Sequence, residues 1–161
     1  MRNIPNFITL LNLASGFIAL VFASNGALVT ASWFILAAMI FDFFDGFAAR
    51  ALKAYSEIGR ELDSLADLVS FGVAPAFLIY KMLVPALNAN PGSDSTSAIN
   101  TVLSFIPVIM PACAALRLAI FNLDTTQKTS FKGLPTPANA IAIITVVISA
   151  EIGRASCRER V

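Results

Sequence analysis

The segment that decides the fold reads FDFFDGFAAR-ALKAYSEI-GRELDSLAD from position 41 to position 67. It contains two pairs of aspartates: Asp42 and Asp45 are three positions apart, and Asp63 and Asp67 are four apart. On a helix, either spacing puts both carboxylates on one face. Because the linker between the pairs is short, the two helices are predicted to be antiparallel neighbours. We therefore expect the two aspartate pairs to face each other.

The rest of the chain is strongly apolar. Of its 161 residues, 57% are hydrophobic and 13% are charged, whereas a soluble domain carries about 25% charged residues. A helix that spans a bilayer needs about 20 mainly apolar residues. Five such stretches are predicted, at about 5–23, 28–51, 62–87, 99–121 and 137–150. We therefore predict an all-α fold, a polytopic transmembrane helix bundle, with polar linkers at 53–60, 88–97 and 122–137.

The last eleven residues, 151–161, differ from the chain before them. They read EIGRASCRERV and are abruptly polar, without periodicity. The string resembles one reading frame of a common sequencing adapter. We expect residues 151–161 to be non-native and residues 1–150 to be a transmembrane domain that is incomplete at its C-terminal end. The alternative is a genuine basic tail in the cytosol.

The basic residues are distributed unevenly between the two ends of the predicted helices. Seven lie on the side of the aspartates: Arg2, Arg50, Lys53, Arg60, Arg117, Lys128 and Lys132. Only Lys81 lies on the other side. Since loops rich in Lys and Arg stay in the cytosol, the N-terminus, the aspartates and the 122–137 loop are predicted to face the cytosol.

The four carboxylates need a counter-charge at the edge of the hydrocarbon. They repel one another and are costly to desolvate, and only Arg50 and Arg60 are near them in sequence. The chain has no histidine, so carboxylate oxygens would have to bind the metal. Oxygen ligands select Mg²⁺, Mn²⁺ or Ca²⁺. Four carboxylates suffice for two such ions, which bind substrate phosphates and promote phosphoryl or phosphatidyl transfer.

The four aspartates also have alternative interpretations that do not involve catalysis. A single pair at a helix end is often only a cap or a solvated face. Intramembrane carboxylates also mark ion pathways, but the position of all four at one boundary argues against a cation transporter. A non-catalytic membrane scaffold is a further alternative. The net charge of +1 gives no indication of nucleic-acid binding.

The spacing DGxxARx(8)GxxxDxxxD, with a further aspartate three residues before its first position, resembles the signature of the CDP-alcohol phosphatidyltransferase family. Every fixed position is present: Asp45, Gly46, Ala49, Arg50, Gly59, Asp63 and Asp67. The resemblance implies six transmembrane helices with this motif across the second and third, so part of the fifth and all of the sixth would be missing here. It also implies a homodimer, and we expect a bacterial or archaeal cell membrane.

The resemblance also implies roles for individual residues. Asp42, Asp45 and Asp63 match metal ligands, and Asp67 matches the aspartate that binds the second metal and acts as the base. The ions would be Mg²⁺ or Mn²⁺, two in number. The positions that match the site of the CDP-lipid are Asn6, Thr9, Gly46, Ala49, Arg50, Ser56 and Gly59. Chemistry agrees with this, because Arg50 can donate to a pyrophosphate and Gly46 leaves room for the nucleotide.

Three further segments, 63–76, 116–122 and 131–138, resemble the branch of the family that uses L-serine as the acceptor. The implied reaction is CDP-diacylglycerol plus L-serine giving phosphatidylserine and CMP, by direct single displacement. Arg117 and Lys132 are candidates to bind the serine carboxylate, with Asn122 as a polar partner. The alternative role for Arg117 and Lys132 is to anchor their segments at the cytosolic interface. Glycerol 3-phosphate or an inositol phosphate remains an alternative acceptor.

Overall fold

The computed structural model describes residues 4–52, 56–88, 94–123 and 135–159, apart from the side chains of 94–97, 121–123 and 155–159. Within these residues the secondary structure is helical throughout. Five helical spans are long and apolar enough to cross a membrane: Ile4–Ser24, Leu28–Ala51, Glu57–Asn88, Ala98–Ile120 and Thr136–Arg154. The predicted all-α bundle with five candidate spans is confirmed.

Helices α1 (Ile4–Ser24) and α2 (Leu28–Ala51) form an antiparallel hairpin. The chain reverses at Gly26, whose φ of 81° is a conformation that glycine adopts without a steric penalty. Lys81 donates from Nζ to the carbonyl of Ser24 at 2.9 Å. The one basic residue assigned to the far side therefore lies beside this turn, at the opposite end of α2 from the aspartates.

The third span comprises helix α3 (Glu57–Asp67), a π-helical segment (Leu68–Val73) and helix α4 (Ala74–Asn88). Its predicted start near residue 62 was wrong. Ser56 is extended, and its Oγ accepts a hydrogen bond from the N–H of Gly59 at 3.0 Å, which is an N-cap. Glu57 adds a favourable negative charge in the first turn. The cap allows α3 to begin five residues earlier, so Gly59 belongs to a helix and not to the linker.

The fourth span is interrupted, where a single helix over 99–121 was predicted. Helix α5 (Asp94–Ser104) is followed by a 3₁₀ turn (Ile106–Val108) and helix α6 (Ile109–Leu123). Pro107 occupies the start of the 3₁₀ turn; it has no N–H to donate, and its ring clashes with the preceding turn of an α-helix. Because α5 begins at Asp94, the second half of the predicted 88–97 loop is also helical.

Helix α7 (Thr136–Glu159) continues through position 150 without a break. Its apolar part, Thr136–Arg154, is 19 residues long, so the predicted end of the fifth span at 150 was too early. A continuous helix does not show whether its last residues are native. The foreign origin of residues 151–161 therefore stays a prediction.

The interior of the bundle is built largely from small side chains. Ala19, Ala23, Ala31 and Ala38 are buried along the α1–α2 hairpin, and small residues at such an interface let two backbones approach closely. Larger side chains of the third span and α7 complete the core: Phe71, Leu78, Ile144 and Val147. Four aromatic rings on α2 point outward, since Trp33, Phe43, Phe44 and Phe47 are all more than half exposed, as expected of side chains that contact lipid.

Candidate active site

Three of the four aspartates meet where α2 and α3 face each other. Asp42, Asp63 and Asp67 each place a carboxylate oxygen within 4.8 Å of the other two. Asp42 of the first pair therefore lies with both aspartates of the second pair, while helix α1 packs against both α2 and α3. A group of carboxylate oxygens at this separation is a suitable ligand set for a hard divalent cation.

Asp45, the fourth aspartate, lies beside this group and not within it. It is 5% exposed, and its Oδ2 has no hydrogen-bond partner among the described residues, as is also true of Oδ1 of Asp63. The hydroxyl of Thr9, on α1, donates to the carbonyl of Pro5 at 3.0 Å. Buried polar atoms in proteins nearly always have a partner. The two unpartnered carboxylate oxygens therefore fit a site for a bound cation.

A cavity of about 500 Å³ opens beside the aspartates. Its lining includes every residue that the family resemblance assigned to the CDP-lipid: Asn6, Thr9, Gly46, Ala49, Arg50, Ser56 and Gly59. Asp45 and Asp63 are also part of the wall. The volume lies within the range of small-molecule sites, about 300–1,000 Å³. Three separate segments of the chain thus contribute to one cavity next to the carboxylates.

Two glycines shape this cavity through the space they leave. A Cβ on Gly59 would lie 2.9 Å from Oγ of Ser56 and 3.0 Å from Oδ1 of Asn6, so a larger residue there would displace the Ser56 hydroxyl that caps α3 and the Asn6 amide. A Cβ on Gly46 would lie 3.6 Å from Nη2 of Arg50, which is ordinary contact. Arg50 donates from Nε to the carbonyl of Gly46 at 3.0 Å, and this bond holds its guanidinium over the last turn of α2.

Sequence reasoning missed several residues at this site. Asn12 is fully buried on α1 and donates from Nδ2 to Oδ1 of Asp67 at 3.3 Å. A signal was present, because Asn6, Thr9 and Asn12 follow one another at three-residue intervals in an otherwise apolar helix. The cavity wall also includes three residues that were given no role: Pro5, Glu57 and Arg60.

Among the described residues that line this cavity, none is a residue predicted to bind the acceptor. Arg117 on α6 lines a second cavity of about 560 Å³, between the π-helical segment, α4, α6 and α7. Asn122 lies in α6, but its side chain is outside the described residues, and so is the whole of Lys132. The acceptor-binding role of these three residues stays a prediction.

Curated proteins with similar sequences are named for one enzymatic activity or for a close variant of it. A CDP-diacylglycerol–serine O-phosphatidyltransferase of Bacillus subtilis is 38% identical over 144 residues, covering 89% of this chain and 75% of the relative. An enzyme of the same name from Mycobacterium leprae is 37% identical over 152 residues, covering 89% of this chain and 46% of the relative. An archaetidylserine synthase of Methanothermobacter thermautotrophicus is 34% identical over 142 residues, covering 87% and 55%.

This chain thus spans three quarters of the first relative and about half the length of the other two. The family model for CDP-alcohol phosphatidyltransferase matches residues 2–157, nearly the whole sequence. The match includes both aspartate-bearing helices and the cavity between them. The chain belongs to the CDP-alcohol phosphatidyltransferase family.

Proposed function

We propose that this chain transfers the phosphatidyl group of CDP-diacylglycerol to L-serine, giving phosphatidylserine and CMP. The observation that carries the proposal is the juxtaposition of a carboxylate cluster, Asp42, Asp63 and Asp67, with a cavity of about 500 Å³ whose wall includes charged side chains. The names of the relatives support the serine acceptor. Two of the three relatives are named serine O-phosphatidyltransferases, and the third is named an archaetidylserine synthase.

The family is generally metal-dependent, and the donor set fits Mg²⁺ or Mn²⁺. Asp42, Asp63 and Asp67 would hold one ion between them, and Asp45, with its unpartnered Oδ2, would help to hold a second. Ions bound there supply positive charge that offsets the pyrophosphate and the CMP that leaves. The donors are all oxygen atoms, so soft metals are disfavoured.

Asp67 is the proposed general base. It accepts the proton of the serine hydroxyl, and the serine oxygen forms a bond to the phosphorus of the lipid phosphate. The bond from that phosphorus to the oxygen of CMP breaks in the same displacement, and the proton passes from Asp67 to water afterwards. No covalent enzyme intermediate is invoked, because the chain has no histidine and the carboxylate group among the described residues includes no cysteine.

The CDP-lipid is proposed to enter the aspartate cavity head first, with its acyl chains left in the bilayer. The folded-back guanidinium of Arg50 is placed to donate to the pyrophosphate, which binds arginine well because two parallel hydrogen bonds form. Asn6 and Thr9 on α1 would contact the cytidine. Gly46 and Gly59 provide the space that the nucleotide needs.

The orientation and the assembly of the protein are part of the proposal. The end of the bundle that carries Arg50 and Arg60 is proposed to face the cytosol, while Lys81 and the Gly26 turn face the opposite side. In a background without the native Cys113 and Cys157, cysteines introduced at Asn25 and at Leu52 report this directly, because only Asn25→Cys should react with an impermeant maleimide added to intact cells. The reverse labelling pattern would contradict the orientation. A homodimer is also predicted.

The function is tested with the purified full chain in mixed micelles. Labelled L-serine, CDP-diacylglycerol and Mn²⁺ should give labelled lipid and stoichiometric CMP. Asp67→Asn should lower turnover by about 10²–10⁴-fold, which is the usual contribution of a positioned base. Glu61→Gln is a matched control, because Glu61 is an exposed acid on the same helix and lies outside the aspartate group.

The outcomes separate the competing functions. CMP release that requires glycerol 3-phosphate or an inositol phosphate in place of serine would leave the family chemistry standing and reject the serine acceptor. Cation flux through proteoliposomes without CMP release would identify a transporter. Wild-type turnover in Asp67→Asn would reject the assignment of the base.

A further inference from the structure

Asn12 is an unusual residue for the middle of an apolar transmembrane helix. Its side chain is completely buried, and a polar group there is costly unless its hydrogen bonds are made. They are made only in part, because Nδ2 donates to Asp67 at 3.3 Å while Oδ1 has no partner among the described residues. Packing alone would be served better by an apolar side chain of the same size.

The direction of the Asn12 amide follows from its neighbour. A flipped amide would place Oδ1 against a carboxylate oxygen of Asp67, and two acceptors repel each other. Nδ2 must therefore point to Asp67 when that carboxylate is ionised. The bond restricts rotation of a side chain that the proposed mechanism requires in one orientation.

The backbone of Asn12 makes a second contact with the same helix. Ser70, also completely buried, donates from Oγ to the carbonyl of Asn12 at 3.1 Å. Ser70 follows Asp67 by three residues, in the π-helical segment. One turn further along α1, Gly16 lies against Ser70 so closely that a Cβ would be 2.9 Å from the Cα of Ser70. Helix α1 thus contacts the chain both at Asp67 and one turn beyond it.

We propose that Asn12 is a positioning residue for Asp67, and that it acts through the hydrogen bond from its amide to that carboxylate. The inference rests on the proposed function, in which Asp67 is both base and metal ligand. Asn12 does not belong to the described lining of the aspartate cavity, so its effect reaches the substrate through Asp67 and not by contact. Partners of metal-binding or catalytic side chains typically contribute about 10–100-fold to affinity or activity.

The test compares Asn12→Leu with Asn12→Asp in the purified full chain. Leucine is apolar and aspartate is charged, but both substitutions remove the N–H group that donates to Asp67. Both should lower kcat for CMP release by about 10–100-fold, with the KM for CDP-diacylglycerol nearly unchanged. Asn12→Leu should also weaken Mn²⁺ binding measured by electron paramagnetic resonance, whereas Asn12→Asp adds a carboxylate and is judged on kcat. Asn12→Leu removes the unpartnered Oδ1 but also removes the donor to Asp67, so these two effects on the melting temperature oppose each other.

Ser32→Ala is the matched control. Ser32 is also completely buried and donates to a carbonyl, that of Leu28 at 2.9 Å. It lies on α2, ten residues and therefore about 15 Å along the helix from Asp42. Ser32→Ala should leave kcat and Mn²⁺ binding unchanged. Ser70→Ala, which removes only the backbone contact, should cause a smaller loss of kcat than either Asn12 variant.

Normal kcat in both Asn12 variants, with normal Mn²⁺ binding in Asn12→Leu, would overturn the proposal. Losses that merely follow the folded fraction, and that Ser32→Ala reproduces, would also overturn it. If Asn12→Leu does not fold, Asn12→Asp and Ser70→Ala carry the test. Should the wild type release no CMP at all, the proposed function fails, while the Mn²⁺ comparison between wild type and Asn12→Leu still decides whether Asn12 positions Asp67.

Discussion

Replacement of Gly16 by alanine tests how tightly α1 must pack against the helix that carries Asp67. A Cβ at Gly16 would lie 2.9 Å from the Cα and 3.0 Å from the Cβ of Ser70. Carbon atoms in good contact are about 3.5–4.0 Å apart, so the two helices must separate by roughly 0.5–1 Å. Part of the obstacle is backbone, which a change of rotamer cannot remove.

The expected magnitude follows from two opposing terms. Overpacking of this kind costs about 1–3 kcal/mol, and the better helix propensity of alanine returns up to about 1 kcal/mol. The net destabilisation should therefore be about 0–3 kcal/mol, so the protein should still fold. Activity should fall further than stability does, because a 1 Å misplacement of a reacting group costs about 10²-fold, and Ser70 is three residues from Asp67.

The assay measures CMP release and thermal unfolding on the same detergent-purified sample. Gly153→Ala is the matched control, since no described atom lies within 4 Å of a Cβ at that helical position. We expect Gly16→Ala to lose about 10–100-fold in kcat and Gly153→Ala to lose nothing. A Gly16→Ala protein with the melting temperature and turnover of the wild type would refute the argument that this contact sets the position of Asp67.

Four further predictions follow from the site. Arg50→Lys should raise the KM for CDP-diacylglycerol about tenfold in steady-state kinetics, since lysine keeps the charge but lacks the planar fork that binds a pyrophosphate bidentately. Lys132→Ala should raise the KM for serine and leave that for the CDP-lipid unchanged; equal effects on both would contradict an acceptor role. Ser56→Ala should lower the free energy of unfolding by about 1 kcal/mol, measured by chemical denaturation, because α3 loses its N-cap. Chelation with EDTA should abolish CMP release, and Mn²⁺ or Mg²⁺ should restore it; turnover that persists after chelation would contradict metal dependence.

Much of the fold was predictable because a bilayer imposes simple rules on a sequence. The length of each apolar run gave the five spans, and α2 matches its predicted bounds of 28–51 at both ends. The errors lie where local chemistry is stronger than hydropathy. Ser56 caps α3 earlier than its apolar content indicates, and Pro107 divides a span that is mainly apolar. The predicted family is confirmed.

The candidate site was predictable where residue type and spacing decide it. Aspartates three and four residues apart must share a helix face, and a short linker must return the chain beside itself. The seven residues assigned to the CDP-lipid by resemblance line one cavity, although their roles stay predictions. Arg117 shows the limit of this reasoning, because it shares a predicted side with the aspartates yet lines a different cavity.

Composition and periodicity act over short distances along the chain, so they were enough to predict a helical membrane protein with two pairs of aspartates, each pair on one helix face. Tertiary packing determines which groups surround those carboxylates. Asn12 and Asp67 are 55 positions apart, and no periodicity links residues across such a distance. Their contact depends on how closely α1 packs against the third span, and that distance is set by Gly16 and Ser70 where the two helices meet.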